Sequence, residues 1–153
     1  MQSFSDFLPE DAKRLIAERN FKVGAVLKFQ VNDTNPPKLK RLIIVGFDDE
    51  KVSFACVFIN SKINPHLFRT KILQDLHLEF EASGRAYLDH TSFVDCSQIF
   101  EKDISSVKQA VANDLGILIG ELTPVDLENV RKTISGAHTI TPRVKKKYGL
   151  MGR

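Results

Sequence analysis

Long apolar runs, cysteine and cofactor fingerprints are what this chain has least of, and each shortage removes a class of function. No stretch of its 153 residues approaches the roughly 20 consecutive apolar residues that a membrane-crossing helix needs. The residues Met1 to Asp6 lack the basic region and apolar stretch of a secretory signal, so no export is expected. Two cysteines, Cys56 and Cys96, are too few for a disulfide framework and fit a reducing, cytoplasmic setting. There is no Gly-rich strand-to-helix fingerprint and no P-loop, so no nucleotide cofactor is expected, and Gly46 and Gly84 read as single turn glycines. His66, His77, His90, His138 and Cys96 form neither a C-x-x-C pair nor an H-E-x-x-H helix, so no metal site is expected. Charge of one sign is not in large excess either. A net charge of +3 permits a nucleic-acid partner without requiring one.

What is present is an ordinary globular composition, 42% hydrophobic and 27% charged, enough for one domain over residues 1–153 with a full core. Residues 6–19 read as a helix with Leu8, Ala12, Leu15 and Ile16 on one stripe. From Gly24 the period changes to two, and Val26, Leu27, Phe29 and Val31 predict a strand that ends in the turn-forming run 32–37. Leu42 to Val45 and Val52 to Ile59 predict two more strands, the spacing of an antiparallel meander typical of small barrels. Residues 62–76 read as a loop with a helical turn. Leu76, Leu78 and Phe80 then alternate as a strand, with His77 expected on its outward face. Ile104, Val107, Val111 and Leu115 predict a helix, and a short strand follows at 117–119. Next comes the clearest local signal. Thr123 is placed as N-cap, Pro124 at the first helical position, Asp126 reaching back as in a capping box, and Leu122 against Leu127 as a staple. Residues 137–153 are basic, carry no periodicity, and predict an extended or mobile tail. The architecture expected is α+β, mainly β: a small antiparallel barrel over 24–136, a helical extension over 1–23 and a basic tail over 137–153.

Chemistry concentrates in the run 87–99, which packs Asp89, His90, Thr91, Ser92, Asp95, Cys96 and Ser97 between strand-like segments. A carboxylate where strand meets loop either accepts backbone N–H groups in a turn or serves as an acid–base group on a rigid sheet, and position alone leaves both readings for Asp89 and Asp95. Cys96 lies six residues from His90 across a turn and reads as structural. Lys38, Lys40 and Arg41 cluster in one place, and Arg143, Lys145, Lys146 and Lys147 in another, either as phosphate-gathering patches or as solvated surface. If the basic turn, Asn60-Ser61 and Asp89-His90 converge, they suit a phosphodiester. Arg41 forks onto the phosphate while a base and an acid serve attack by a neighbouring 2′-OH.

The order of segments resembles the PemK/MazF family of toxin endoribonucleases. Gly24-Ala25-Val26-Leu27 is similar to the opening G-[DE]-[IV]-W strand, and Lys40-Arg41-Leu42-Ile43-Ile44-Val45 to R-P-[AV]-L-[IV]-[VL]. Val57 to Ser61 is similar to V-P-[IV]-T-S, Leu88 to Asp95 to L-D-Q-x-R-T-[IL]-D, and Ile119 to Leu127 to I-G-x-L-[ST]-x-E-x-[LM]. The resemblance implies an SH3-like barrel with packed helices, usually a homodimer, that cuts single-stranded RNA without metal or cofactor and is neutralised by a cognate antitoxin. It implies Arg41 on the phosphate, Asn60 and Ser61 in place of the family's Thr-Ser, and Asp89 as the strand-end carboxylate. His90 replaces the family's Gln and would supply an acid–base group, with Lys38, Lys40 and Ser92 as further RNA contacts. Ser92-Phe93 replaces the family's Arg-Thr, and Tyr87 stands where some members carry Arg. Those departures favour the alternative, a barrel without catalysis that serves as a protein-interaction or regulatory module.

Overall fold

Alternating apolar side chains place three strands side by side in the first half of the chain. The structure is a computed structural model that describes residues 8–31 and 38–152. Strands β1 (Ala25–Val31), β2 (Lys38–Phe47) and β3 (Ser53–Asn60) form the expected antiparallel meander, with Leu27 opposite Leu42 and Leu42 opposite Phe58. The turn predicted over 32–37 lies outside the described residues. The β2–β3 turn is held by Asp48, whose Oδ1 accepts the backbone N–H groups of Val52 (2.8 Å) and Ser53 (3.1 Å). Desolvation opposes ionisation of that carboxylate, but these bonds outweigh it and the group titrates below its usual range.

Four short strands complete the sheet: β4 (His77–Phe80), β5 (Ser92–Asp95), β6 (Phe100–Asp103) and β7 (Leu118–Glu121). Among the described residues the order is β4-β5-β3-β2-β1-β7, with β6 also on β3. The far edge of β3 is shared, Ser53 to Cys56 pairing with β6 and Ile59 to Asn60 with β5. Register shifts at Ile44/Gly46 in β2 and at Val26/Leu27 in β1 add local bend and twist. The result is an α+β fold in which the antiparallel sheet curls into a half-barrel.

Both faces of this sheet are apolar, and helices cover each. Val26, Ile43, Val45, Val57 and Val94 point to one side, where Tyr87, Leu88 and Leu122 meet Val130 and Ile134 of α4 (Pro124–Gly136). Leu27, Leu42, Ile44, Phe54 and Cys56 point to the other. There Ala17 of α1 (Glu10–Asn20), Phe21 and Val111 of α3 (Ile104–Asn113) close a second cluster. Phe21 meets Phe54 edge-on at 5.2 Å between ring centroids. Each fully buried leucine, isoleucine or phenylalanine of this layer contributes about 1.5–3 kcal/mol of transfer free energy. Residues 1–23 were expected as an extension, but Ala17 and Phe21 belong to this packed layer. A one-turn helix, α2 (Lys71–Gln74), precedes β4. Among the described residues no helix is long and apolar enough to cross a membrane.

One local expectation holds and one changes. Thr123 caps α4, its Oγ1 accepting the Asp126 N–H at 3.2 Å, and Pro124 opens the helix as predicted. The Asp126 carboxylate, however, does not reach back to the cap. It takes a two-pronged bond from Arg85, Nε to Oδ2 at 2.9 Å and Nη2 to Oδ1 at 3.0 Å.

The segment expected as an extended tail is instead part of the core. Thr141 caps a further short helix, α5 (Pro142–Lys147), and Ala137, Ile140, Tyr148 and Leu150 are buried in the α4 cluster. Lys145 Nζ donates to the Ser135 carbonyl at 2.9 Å, Lys147 pairs with Glu101 at 2.9 Å, and the Tyr148 hydroxyl bonds Glu101 and Ser53. Gly46 passes so close beneath Tyr148 that a side chain there would overlap the Tyr148 carbonyl oxygen. The apolar anchors sit irregularly among the lysines, so no period betrays them.

Candidate functional site

Three strand ends and a loop enclose the site. Lys38 to Arg41 begin β2, Asn60 ends β3, and residues 89–92 enter β5, while the 61–68 loop closes the side. Between them lies a cleft of ≈ 620 Å³. Its wall carries Lys38, Lys40, Arg41, Asn60, Ser61, His90 and Ser92, so seven of the eight residues singled out in the sequence share one cavity. Asp89 is off the wall but bonded to Arg41.

Arg41 is the most constrained cation of the group. Its Nε donates to the Tyr87 carbonyl and its Nη2 to Asp89 Oδ2, both at 2.9 Å. The Tyr87 ring in turn packs onto Gly120, where a Cβ would come within 3.0 Å of it. Burial, aided by Asp126 and opposed by Arg85, pushes the Tyr87 phenol up to about 12, so it stays neutral. The carbonyl that orients Arg41 thus belongs to a residue wedged in the core.

The remaining polar groups are oriented by their neighbours. Lys40 Nζ donates to Asn60 Oδ1 at 3.0 Å, so the donor capacity of the Asn60 amide resides in its NH2 group. His90 Nδ1 lies 2.8 Å from the Thr91 carbonyl, an acceptor only, so Nδ1 carries the proton and Nε2 is the acceptor nitrogen of the neutral ring. Ser92 Oγ donates to the His90 carbonyl at 3.0 Å and ties the loop to β5. Lys38, Lys40, Arg41 and Lys62 face one wall carboxylate, Asp95, so the cavity favours an anion.

The approach of His77 to Asp95 is what sequence reasoning missed. His77 was expected on the outward face of β4. Its side chain is instead 1% exposed, stacked edge-on beneath Phe68 at 4.1 Å, with Nδ1 bonded to the Leu73 carbonyl at 3.0 Å. The 62–76 segment folds back over the start of β4 and buries it. His77 Nε2 lies 3.4 Å from Asp95 Oδ1 without completing a hydrogen bond. That oxygen is taken by the Ser97 N–H and hydroxyl, the Asx-type turn foreseen for such a carboxylate. Cys96 is fully buried with its sulfur toward the Val130 carbonyl, and burial, then Asp95, pushes its thiol up, as a structural cysteine requires. The basic cluster of α5 is off the cleft wall, and two of its members, Lys145 and Lys147, are spent on Ser135 and Glu101.

Among the described residues no three His, Cys, Asp or Glu side chains come together as a metal-ligand set. No protein-family model matches the chain, and no curated protein matches it significantly.

Proposed function

We propose that the cleft binds single-stranded RNA and cleaves it by a metal-independent transesterification, and that the half-barrel is an SH3-like barrel of PemK/MazF type. The observation that carries this reading is Arg41, a guanidinium fixed on two acceptors at the wall of a cavity whose other cations are Lys38, Lys40 and Lys62. A fork held in that way meets a phosphate without further ordering, and its charge counts most as the phosphorane forms.

The step balances with groups at hand. His90 Nε2 takes the proton of the ribose 2′-OH, a P–O2′ bond forms, and Arg41 offsets the charge on the non-bridging oxygens. The P–O5′ bond then breaks and the 5′-oxygen leaves as a hydroxyl, protonated from water at the open cleft. The products are a 2′,3′-cyclic phosphate and a 5′-OH end. Asp89 holds Arg41, while Ser61 and the Asn60 amide bind phosphate or base. This activity fits a toxin held in check by an antitoxin protein, in a cytoplasmic homodimer.

The test is incubation of the purified protein with a mixed single-stranded RNA in EDTA, alongside Arg41→Ala and Asp89→Ala. Cyclic phosphate ends that depend on Arg41 are expected. Intact RNA with salt-sensitive binding would instead favour the second reading, a binding or regulatory module. The loss of the family's Arg-Thr at Ser92-Phe93 is the observation that keeps this reading in view.

A further inference from the structure

The β3 side chains alternate, so Phe58 and Asn60 share a face opposite to Ile59, and Lys40 bonds Asn60 from the neighbouring strand. Phe58 and Phe100 are half-buried, stand 4.5 Å apart between ring centroids at 53°, and both line the cleft. Lys40 Nζ sits 5.9 Å from the Phe58 centroid while it holds Asn60 Oδ1, and Asn60 lines the same cleft as the two rings. Gln98 lies exposed on the same wall. A cation, an aromatic pair and an amide held by that cation in one anion-attracting cavity match the three parts of a nucleotide: phosphate, base face and base edge.

We infer that the Phe58–Phe100 pair is a base-stacking subsite that accepts one unpaired nucleobase, with Lys40 on the flanking phosphate and Asn60 Nδ2 donating to an acceptor on the base edge. The inference rests on the RNA reading above and narrows it. The ligand is a polynucleotide with an unstacked base, and an intact duplex is excluded because its bases cannot leave the stack without unpairing. Phe58 and Phe100 bind rather than react; the bond chemistry stays with Arg41 and His90.

The test uses the full chain and 2′-O-methyl RNA octamers, which cannot be cleaved, with a single abasic sugar moved along the sequence. At one position the abasic octamer is expected to bind about 5- to 150-fold more weakly, the range of one base–aromatic stack. Phe58→Leu and Phe100→Leu lower affinity for the intact octamer by a similar factor and add nothing on that abasic octamer. Lys40→Gln keeps the abasic penalty and flattens the salt slope by about 0.7. The abasic scan on the unaltered protein needs no variant to fold. Equal affinity for every abasic octamer, or for a duplex of the same sequence, overturns the subsite while leaving the RNA reading standing. No binding of any octamer by the unaltered protein overturns both.

Discussion

Arg41 Nη2 and Asp89 Oδ2 stand 2.9 Å apart although Asp89 is 80% exposed and Arg41 only 23%. An ion pair open to water on one side contributes little stability, about 0–1 kcal/mol. Its value is geometric, since with the Tyr87 carbonyl it leaves the guanidinium one orientation. Asp89→Asn is therefore expected to lower the single-turnover cleavage rate about tenfold with the melting temperature almost unchanged. Arg41→Lys is not expected to restore activity, because an ammonium cannot fork. A large loss of melting temperature in Asp89→Asn would make the contact structural.

Gly46→Ala tests the docking of the C-terminal segment. The new methyl would overlap the Tyr148 carbonyl, and relief requires moving backbone, so a loss of about 1–3 kcal/mol in urea unfolding is expected. An unchanged midpoint would mean that Tyr148 does not pack over β2.

Arg85, in the loop that follows β4, ties that loop to α4 through its two hydrogen bonds to Asp126 and lies 4.3 Å from the Phe80 ring centroid. Arg85→Ala leaves Asp126 largely buried without its partner, at an expected cost of about 2 kcal/mol. Removing both partners is expected to cost less than the sum of the single changes. Additive losses would contradict a coupled pair.

Acid should weaken the tie between Glu101 and the end of α5. The Glu101 carboxylate accepts from the Tyr148 hydroxyl and then from Lys147, which hold it below its ordinary value of 4.5. The unfolded chain therefore takes up this proton at higher pH than the folded one. The stabilisation is full above about pH 4.5 and is lost as pH falls through the folded value. Glu101 is 43% exposed, so solvent screening keeps the effect small. Urea titrations should find the unaltered protein more stable than Glu101→Gln at pH 6, with the gap closing toward pH 3. A gap that stays constant contradicts the linkage.

Both thiols should be silent in the folded protein. Burial pushes Cys56 up to about 12 and Cys96 upward as well, and neither is accessible. At pH 8 a thiol reagent is expected to label them only at the rate of unfolding. Rapid labelling of Cys96 would mean that β5 opens locally.

Where local signals dominate, the sequence was readable. Strands β1 to β3 carry unbroken β-branched or alternating patterns, and Thr123-Pro124 is a cap with its own chemistry. Strand β6 was missed because Phe100-Glu101-Lys102-Asp103 has one apolar residue and owes its pairing to β3. The packing of Tyr148 was missed because its partners Glu101, Ser53 and Gly46 lie far off in the chain, at separations that no local pattern spans. The site divides in the same way. Arg41, Asn60 and His90 were legible as polar residues next to apolar strand patterns, but the basic turn expected at Lys38–Arg41 is instead the first four residues of β2, paired with β1. The burial of His77 depended on the fold-back of residues 62–76, which no short pattern encodes. The link from Tyr87 to Arg41 runs through a backbone carbonyl, and carbonyls leave no trace in residue type.

The most direct measurement is the single-turnover cleavage of single-stranded RNA in EDTA by the unaltered protein and by Arg41→Ala, with the product ends identified. Cyclic phosphate ends and a rate lower by about 100- to 1,000-fold in the variant are predicted, the scale of losing one charge-stabilising donor. RNA left intact by the unaltered protein, or cut equally fast by Arg41→Ala, would contradict the account.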